Sequence, residues 1–234
     1  MNFTELQERA KGRNFDQITV VSRDIFQELA NLSLVFPVAP GKVRTETEQN
    51  HPGLTVGKQE ITYTQMCTTI YYQNTSLQVV EPVAGDTIYQ RYLDRFGEGI
   101  CCVRERIPGQ MWDTTLAKLE SKGINIAQRM ESPVCKAAWV DLTDTLGILF
   151  EIITGESETP DPNYVVPIRI AQINITTPDV RKTIETITDL LEIGPWEVGC
   201  QNNKTVVDPG FRVDGRLQNV DFPFLVAILV CGNI

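Results

Sequence analysis

Histidine is almost missing from this chain. His51 is the only one in 234 residues, so any centre built on two imidazoles, such as a two-histidine-one-carboxylate iron site, is excluded. Cysteine occurs six times, at Cys67, Cys101, Cys102, Cys135, Cys200 and Cys231, but no pair has CxxC or another zinc spacing. Basic runs do not exceed isolated pairs, and a net charge of -9 argues against nucleic acid or an anionic membrane as partner. No apolar window approaches the ~20 residues needed to span a bilayer; the longest, Phe222–Val230, suits a buried strand. The N-terminal stretch MNFTELQERAKGRNF has no apolar signal core, which predicts no secretion and reduced thiols in a cytoplasm.

What is present is ordinary for a globular protein: 42% hydrophobic and 22% charged residues, enough for one sizeable core or two small ones. Phe15–Val21 (FDQITVV) is β-branched and alternates, so it reads as a strand. Ser22 or Asp24 caps a helix running to about Leu34, and strands follow within Lys58–Gln73 and over Ser76–Val80, with Asn74-Thr75 as their turn. The same order returns: a strand over Gly99–Ile107, a helix over Met111–Lys122 ended by Gly123, then strands over Ala137–Leu142 and Gly147–Ile153 around the polar turn Thr143–Thr145. After the loop TGESETPDPNYVVP a third round begins, with a strand over Ile168–Ile175 and a helix capped by Thr177 or Asp179. A unit of roughly 75 to 80 residues thus recurs, and repetition at a fixed period outweighs any single local assignment.

These units resemble the paired βαβββ modules of the vicinal oxygen chelate superfamily, nearest to its methylmalonyl-CoA epimerase and glyoxalase I branch. The resemblance is carried by Leu77–Gly99 (LQVVEPVAGDTIYQRYLDRFGEG), by Gly147–Ile153 (GILFEII) and by Ile193-Gly194-Pro195-Trp196. It implies an α+β fold in which repeated βαβββ modules form a cup-shaped, curved mixed sheet with helices outside. Residues 14–154 would make one cup, from module one (14–82), a linker helix (86–97) and module two (98–154). Residues 155–166 would be a linker and 167–234 a third, incomplete module, which makes a dimer or swapped assembly the expected state.

In that family the ligands of a metal point into the cup from the first and last strands of each module. Position by position, the resemblance selects Gln17, Gln78, Cys102 and Glu151. Cys102 is the departure, because relatives place a histidine there. The set implies one divalent ion (zinc, cobalt, nickel, manganese or magnesium) or, as the alternative, a metal-free cup; no nucleotide cofactor is expected. Two amide oxygens and one thiolate are a mismatched set.

The strand GEGICCVRERI raises its own question, because three alternating charges follow two cysteines. With Cys102 facing the cup, Arg104 and Arg106 share its face, Cys101, Val103 and Ile107 pack under the helix, and Glu105 falls on a face that should be apolar, which a frayed strand end would explain. Glu151, flanked by Leu149 and Ile153, is the candidate for proton transfer. Arg104, Arg106, Gln17, Gln78 and Cys102 are the candidate substrate contacts, and Gln172 with Asn174 echoes Gln17 and Thr19. The leading expectation is an epimerase, racemase or isomerase that moves a proton beside a carbonyl or enol of a small organic substrate. The alternatives are a non-catalytic binding protein of the sequestering type and a glyoxalase-type lyase; extradiol ring cleavage is excluded by the missing histidines.

Overall fold

The computed structural model describes residues 3–36, 41–156, 159–201, 212–213, 216–217 and 224–229. They divide into two compact units, Arg13–Ile175 and a second made of the first helix, α1 (Phe3–Lys11), with the described residues from Thr176 onward.

In the larger unit, β1 (Phe15–Val21) is buried on both faces, as its β-branched run requires. Asp24 then starts α2 (Ile25–Val35): its carboxylate accepts from the amides of Phe26 at 3.0 Å and Gln27 at 2.9 Å. Module one continues with β2 (Arg44–Thr47), the hairpin β3 (Leu54–Val56) and β4 (Gln59–Glu60), and the long antiparallel pair β5 (Thr64–Tyr72) and β6 (Ser76–Ala84). The linker helix α3 (Ile88–Phe96), capped by Thr87, leads into module two: β7 (Gly99–Arg106), α4 (Trp112–Ser121), β8 (Ile126–Glu131), β9 (Cys135–Leu142), the single turn α5 (Thr143–Leu146) and β10 (Ile148–Gly155). β11 (Val165–Val166) closes the unit by pairing with β5.

The two modules repeat one connectivity. β1 runs parallel to β6 and β7 runs parallel to β10, while β1 and β7 meet antiparallel and join the halves into one eleven-stranded sheet. Its order is β11-β5-β6-β1-β7-β10-β9-β8-β3-β4, with β2 also on β5. β2 and β3 are successive in the chain yet lie at opposite ends of this order. Laid flat, eight strand spacings of ~4.8 Å would separate them by about 38 Å. The chain from Thr47 to Leu54 can span at most about 25 Å. The sheet therefore curls into a half-barrel, and the tether passes close to β8, where Gly53 has φ 86° and an added Cβ would lie 2.3 Å from the Glu131 carbonyl oxygen.

The curl defines an inside. Leu54 from one end of the sheet and Cys67 from the other bury in one cluster with Val80, Cys102, Trp139 and Leu149. The apolar side of α3 (Ile88, Tyr89, Leu93) fills that same concave cluster. α2 lies on the convex side, where Leu29 and Leu32 pack against Ile70, Tyr72 and Val166.

Ile168–Ile175 forms no strand, contrary to the alternation of its residues. Ile168 and Ile170 pack against Ile70, Tyr72 and Val166 without forming a ladder. The segment is held by the Gln73 amide on the Ile168 carbonyl at 3.0 Å and by the Asn74 side chain, which accepts from the Ile170 amide and donates to the Ile170 carbonyl, each at 2.9 Å. Thr143–Leu146, expected as a plain polar turn, closes one helical turn that Gly147 ends in the left-handed region.

In the smaller unit, Asp179 caps α6 (Val180–Leu191) through the amides of Arg181 and Lys182, at 3.1 Å each. β12 (Glu197–Gln201) pairs antiparallel with β15 (Phe224–Ile228), and β13 (Arg212–Val213) pairs with β14 (Arg216–Leu217). The expected strand over Phe222–Val230 is seen over the five residues of β15; Phe222, Pro223 and Val230 lie outside the described residues. Among the described residues, no helix is long and apolar enough to cross a membrane.

Candidate functional site

Strand register places the residues singled out in the sequence side by side. Directly paired positions run across the cup floor as Ser76 on β6, Gln17 on β1, Arg104 on β7, Glu151 on β10, Trp139 on β9 and Gln128 on β8. Paired residues project from the same face. In the adjoining row Thr19 pairs with both Gln78 and Cys102. Gln17, Gln78, Cys102, Arg104 and Glu151 therefore share one concave patch, although up to 134 residues separate them in the chain.

Glu151 is the most unusual of them. It is 4% exposed, and its carboxylate makes no hydrogen bond or ion pair among the described residues. Burial pushes its carboxyl up to about 7; the charge of Arg104 works the other way, and that of Asp16 adds to the rise. A carboxyl half-protonated near neutrality can both give and take a proton.

Arg104 does not pair with Glu151 because Asp16 claims it. Asp16 Oδ1 accepts from Arg104 Nε at 2.7 Å and Asp16 Oδ2 accepts from Arg106 Nε at 2.6 Å. A β-bulge between Phe15 and Gln17 turns Asp16 toward both guanidiniums. Burial works against the Arg104 charge, but Glu151 and Asp16 more than hold it. The two arginines, expected as contacts for substrate, are thus bound to a carboxylate of the protein itself, and Arg106 also donates to the Gly155 carbonyl at 3.0 Å.

The remaining members of the strand differ from expectation in two ways. Glu105 is no frayed end: it is 4% exposed, and Arg13 Nη1 lies 2.7 Å from each of its carboxylate oxygens. Cys101, expected under the helix, joins Cys102 in the concave cluster, because a second bulge, between Thr19 and Val20, leaves it without a partner on β1. Its thiol donates to the Thr19 carbonyl at 3.4 Å.

The donors expected to hold a metal do not suit one. Gln17 Nε2 donates to Gln78 Oε1 at 2.9 Å and Ser76 Oγ donates to Gln17 Oε1 at 3.5 Å, so both amide oxygens already accept a hydrogen bond. Burial first, then the Glu151 charge, push the Cys102 thiol well above its ordinary value, whereas metal binding needs the thiolate. No cluster of three histidine, cysteine or acidic side chains able to hold an ion occurs among the described residues. Gln172 and Asn174, the echo of the pattern in the third round, are exposed and hydrogen-bond to each other.

Three residues of the patch escaped the sequence. Glu46 on β2 faces the cup and is 9% exposed, accepting from Gln65 Nε2 at 2.9 Å and from Arg44 Nε at 3.1 Å. Burial alone would raise its carboxyl, but hydrogen bonds from Cys67, Gln65 and Arg44, with the His51 charge, turn the shift downward. Tyr89 on α3 accepts from Trp139 Nε1 at 3.0 Å, and Gln128 Oε1 accepts from the Ile88 amide at 2.9 Å, so two members of the floor row fix the start of α3. The spacing of Ile88, Tyr89, Tyr92 and Leu93 marks an amphipathic helix, which is as much as the sequence could signal there.

No family model and no curated protein sequence matches the chain. Among solved structures it is similar to a variant of Streptomyces coelicolor methylmalonyl-CoA epimerase in complex with 2-nitronate-propionyl-CoA, at 18% identity over 62% of this chain and 98% of that one, TM-score 0.43. It is similar to a methylmalonyl-CoA epimerase in complex with methylmalonyl-CoA and NH4+, at 19% identity over 63% and 99%, TM-score 0.44. A methylmalonyl-CoA epimerase from Mycobacterium tuberculosis matches at 15% identity over 62% and 89%, TM-score 0.43. Likeness at this level assigns no activity to this chain, whose chemistry rests on its own residues. What the register itself establishes is a cup of two βαβββ modules with a buried carboxyl on its floor.

Proposed function

We propose that the chain moves a proton at a carbon beside a carbonyl, as an epimerase, racemase or isomerase of a small organic substrate, without a metal. The observation that carries this is Glu151: a buried carboxyl without a hydrogen bond among the described residues, poised near neutral pH on the floor of a cup. Inverting a carbon needs one group to remove a proton and another to return it. Glu46 on the module-one wall supplies a second buried carboxylate, held ionised while Glu151 is held half-neutral, a division of labour set by environment. A substrate would have to reach Glu151 past Gln78 and Arg104, each half-buried. Parting the single Gln17–Gln78 amide bond would clear the way.

The test is α-carbon deuterium exchange in D2O buffer treated with chelator, followed by proton NMR. The panel would hold methylmalonyl-CoA, a 2-methyl-3-oxoacyl thioester and an α-hydroxy ketone. Exchange by the native chain that is lost in Glu151→Gln supports the reading; a native chain that exchanges none of them sinks it. A second reading, a binding protein of the sequestering type, is favoured by the neutralisation of Arg104 and Arg106 on Asp16. That reading expects calorimetric binding of such compounds with no exchange.

A further inference from the structure

Removing a proton beside a carbonyl leaves negative charge on the carbonyl oxygen, and an enzyme without a metal needs a donor aimed at it. Most polar groups of the patch are committed. Arg104 and Arg106 are bonded to Asp16, and Gln17 to Gln78. Tyr89 differs. Its hydroxyl oxygen accepts from Trp139 Nε1, which fixes the oxygen, yet its own proton has no acceptor among the described residues. The side chain is 4% exposed and packs edge-on to Trp139, with ring centroids 6.3 Å apart, and Trp139 is the direct cross-strand neighbour of Glu151. A buried hydroxyl with an unused proton is costly unless something takes that proton in a hydrogen bond.

We propose that Tyr89 is the oxyanion donor of this site, hydrogen-bonding the substrate oxygen on which charge develops as Glu151 takes the adjacent proton. The inference rests on the proton-transfer reading and deepens it. In the step, the carbon–hydrogen bond breaks and its electron pair forms the carbon–carbon double bond of the enolate. The carbonyl pair moves onto oxygen, and the proton forms an O–H bond on the Glu151 carboxylate. Tyr89 keeps its proton throughout and lends only a hydrogen bond. Burial, and next the nearby Glu151 charge, raise its phenol well above the ordinary value, so it remains a donor at every working pH. Trp139 and Gln128 act through it as positioning residues: one holds the hydroxyl oxygen, the other the amide that begins α3.

Two measurements on the full chain, with Tyr89→Phe and Trp139→Phe, decide the matter. Thermal melts first check that both variants fold. In the exchange assay Tyr89→Phe should lower kcat about a hundredfold with KM little changed, the loss typical of one oxyanion donor, and Trp139→Phe should lower it less. In calorimetry the propane-2-nitronate anion, a stable planar oxyanion, should bind the native chain and bind Tyr89→Phe more weakly. Native exchange with unaltered kcat in Tyr89→Phe overturns the role of Tyr89 and leaves the proton-transfer reading standing. No native exchange, but nitronate binding that depends on Tyr89, removes the enzymatic reading and keeps Tyr89 as an anion donor. Neither exchange nor Tyr89-dependent binding overturns both.

Discussion

On the wall built by module one, the Glu46 carboxylate is held by Gln65 at 2.9 Å and Arg44 at 3.1 Å; on the wall built by module two, Glu151 makes no hydrogen bond among the described residues. The two modules share a connectivity, and both carboxylates are nearly sealed from water. Their titrations nevertheless move in opposite directions, downward for Glu46 and up to about 7 for Glu151. Burial raises both, and the partners decide in which direction each shift ends. Module one supplies donors to its carboxylate, and module two diverts its nearest cations to Asp16. Fold sets where a carboxyl sits, and the side chains around it set whether it is a fixed charge or a proton carrier.

Replacing Glu151 would sharpen this contrast most. Glu151→Gln should lower α-carbon exchange by about 10²–10⁴-fold, the range of a lost general acid-base group. The same variant should be more stable than the native chain at alkaline pH. A folded carboxyl at about 7, against 4.5 in the unfolded chain, binds more protons when folded. Stability therefore falls as pH rises from 4.5 to 7 and is level above that window, a loss of about 3 kcal/mol. Urea titrations at pH 5 and pH 8 should show that slope in the native chain and not in the variant; a native chain equally stable at both would contradict a raised Glu151.

Asp16→Asn attacks the diversion itself. Losing the carboxylate leaves two largely buried guanidiniums short of a partner, at a cost of about 3–5 kcal/mol. Arg104 would then turn to Glu151 and pull its titration down. The acid limb of the exchange rate should move to lower pH in this variant, and an unmoved limb would mean that Asp16 does not set the poise of Glu151.

How much of this was readable beforehand follows from the range of the forces involved. β1, the Asp24 cap of α2 and the helix α4 depend on local pattern, and the structure places them where the sequence did. β3 and β8 have little apolar alternation of their own and exist because they pair across the two modules, which no local window shows. The cluster of candidates on one concave patch followed from a repeated connectivity. The Asp16–Arg104–Arg106 triad did not, because it depends on a bulge that shifts one strand by one residue, and bulges leave no mark in composition. Tyr89 was not singled out either, because the partner that fixes its hydroxyl, Trp139 on β9, is 50 residues away in the chain.

Glu46→Gln tests the opposite wall with a smaller effect. Because the folded carboxyl lies below its unfolded value, its contribution is present above that value and fades as pH falls. The variant should lose about 1–3 kcal/mol at pH 7 through the unsatisfied Arg44 and Gln65 donors, and the loss should shrink toward pH 3. A variant more stable than the native chain at pH 7 would show that the two walls are alike after all.

The smallest effect is expected where a metal would have produced the largest. Cys102 is 0% exposed, its thiol is held neutral by burial, and its nearest bond is to the Val103 carbonyl at 3.7 Å. Cys102→Ala removes one sulfur from a packed cluster, which should cost about 1 kcal/mol through the cavity it leaves. Exchange should persist in that variant, and in the native chain after exhaustive chelation, because Glu151 and Tyr89 remain. If chelation abolishes exchange and added zinc or cobalt restores it, the Gln17–Gln78 bond must open in solution to make room for an ion. The division between a fixed charge on one wall and a proton carrier on the other would then be redrawn around that ion.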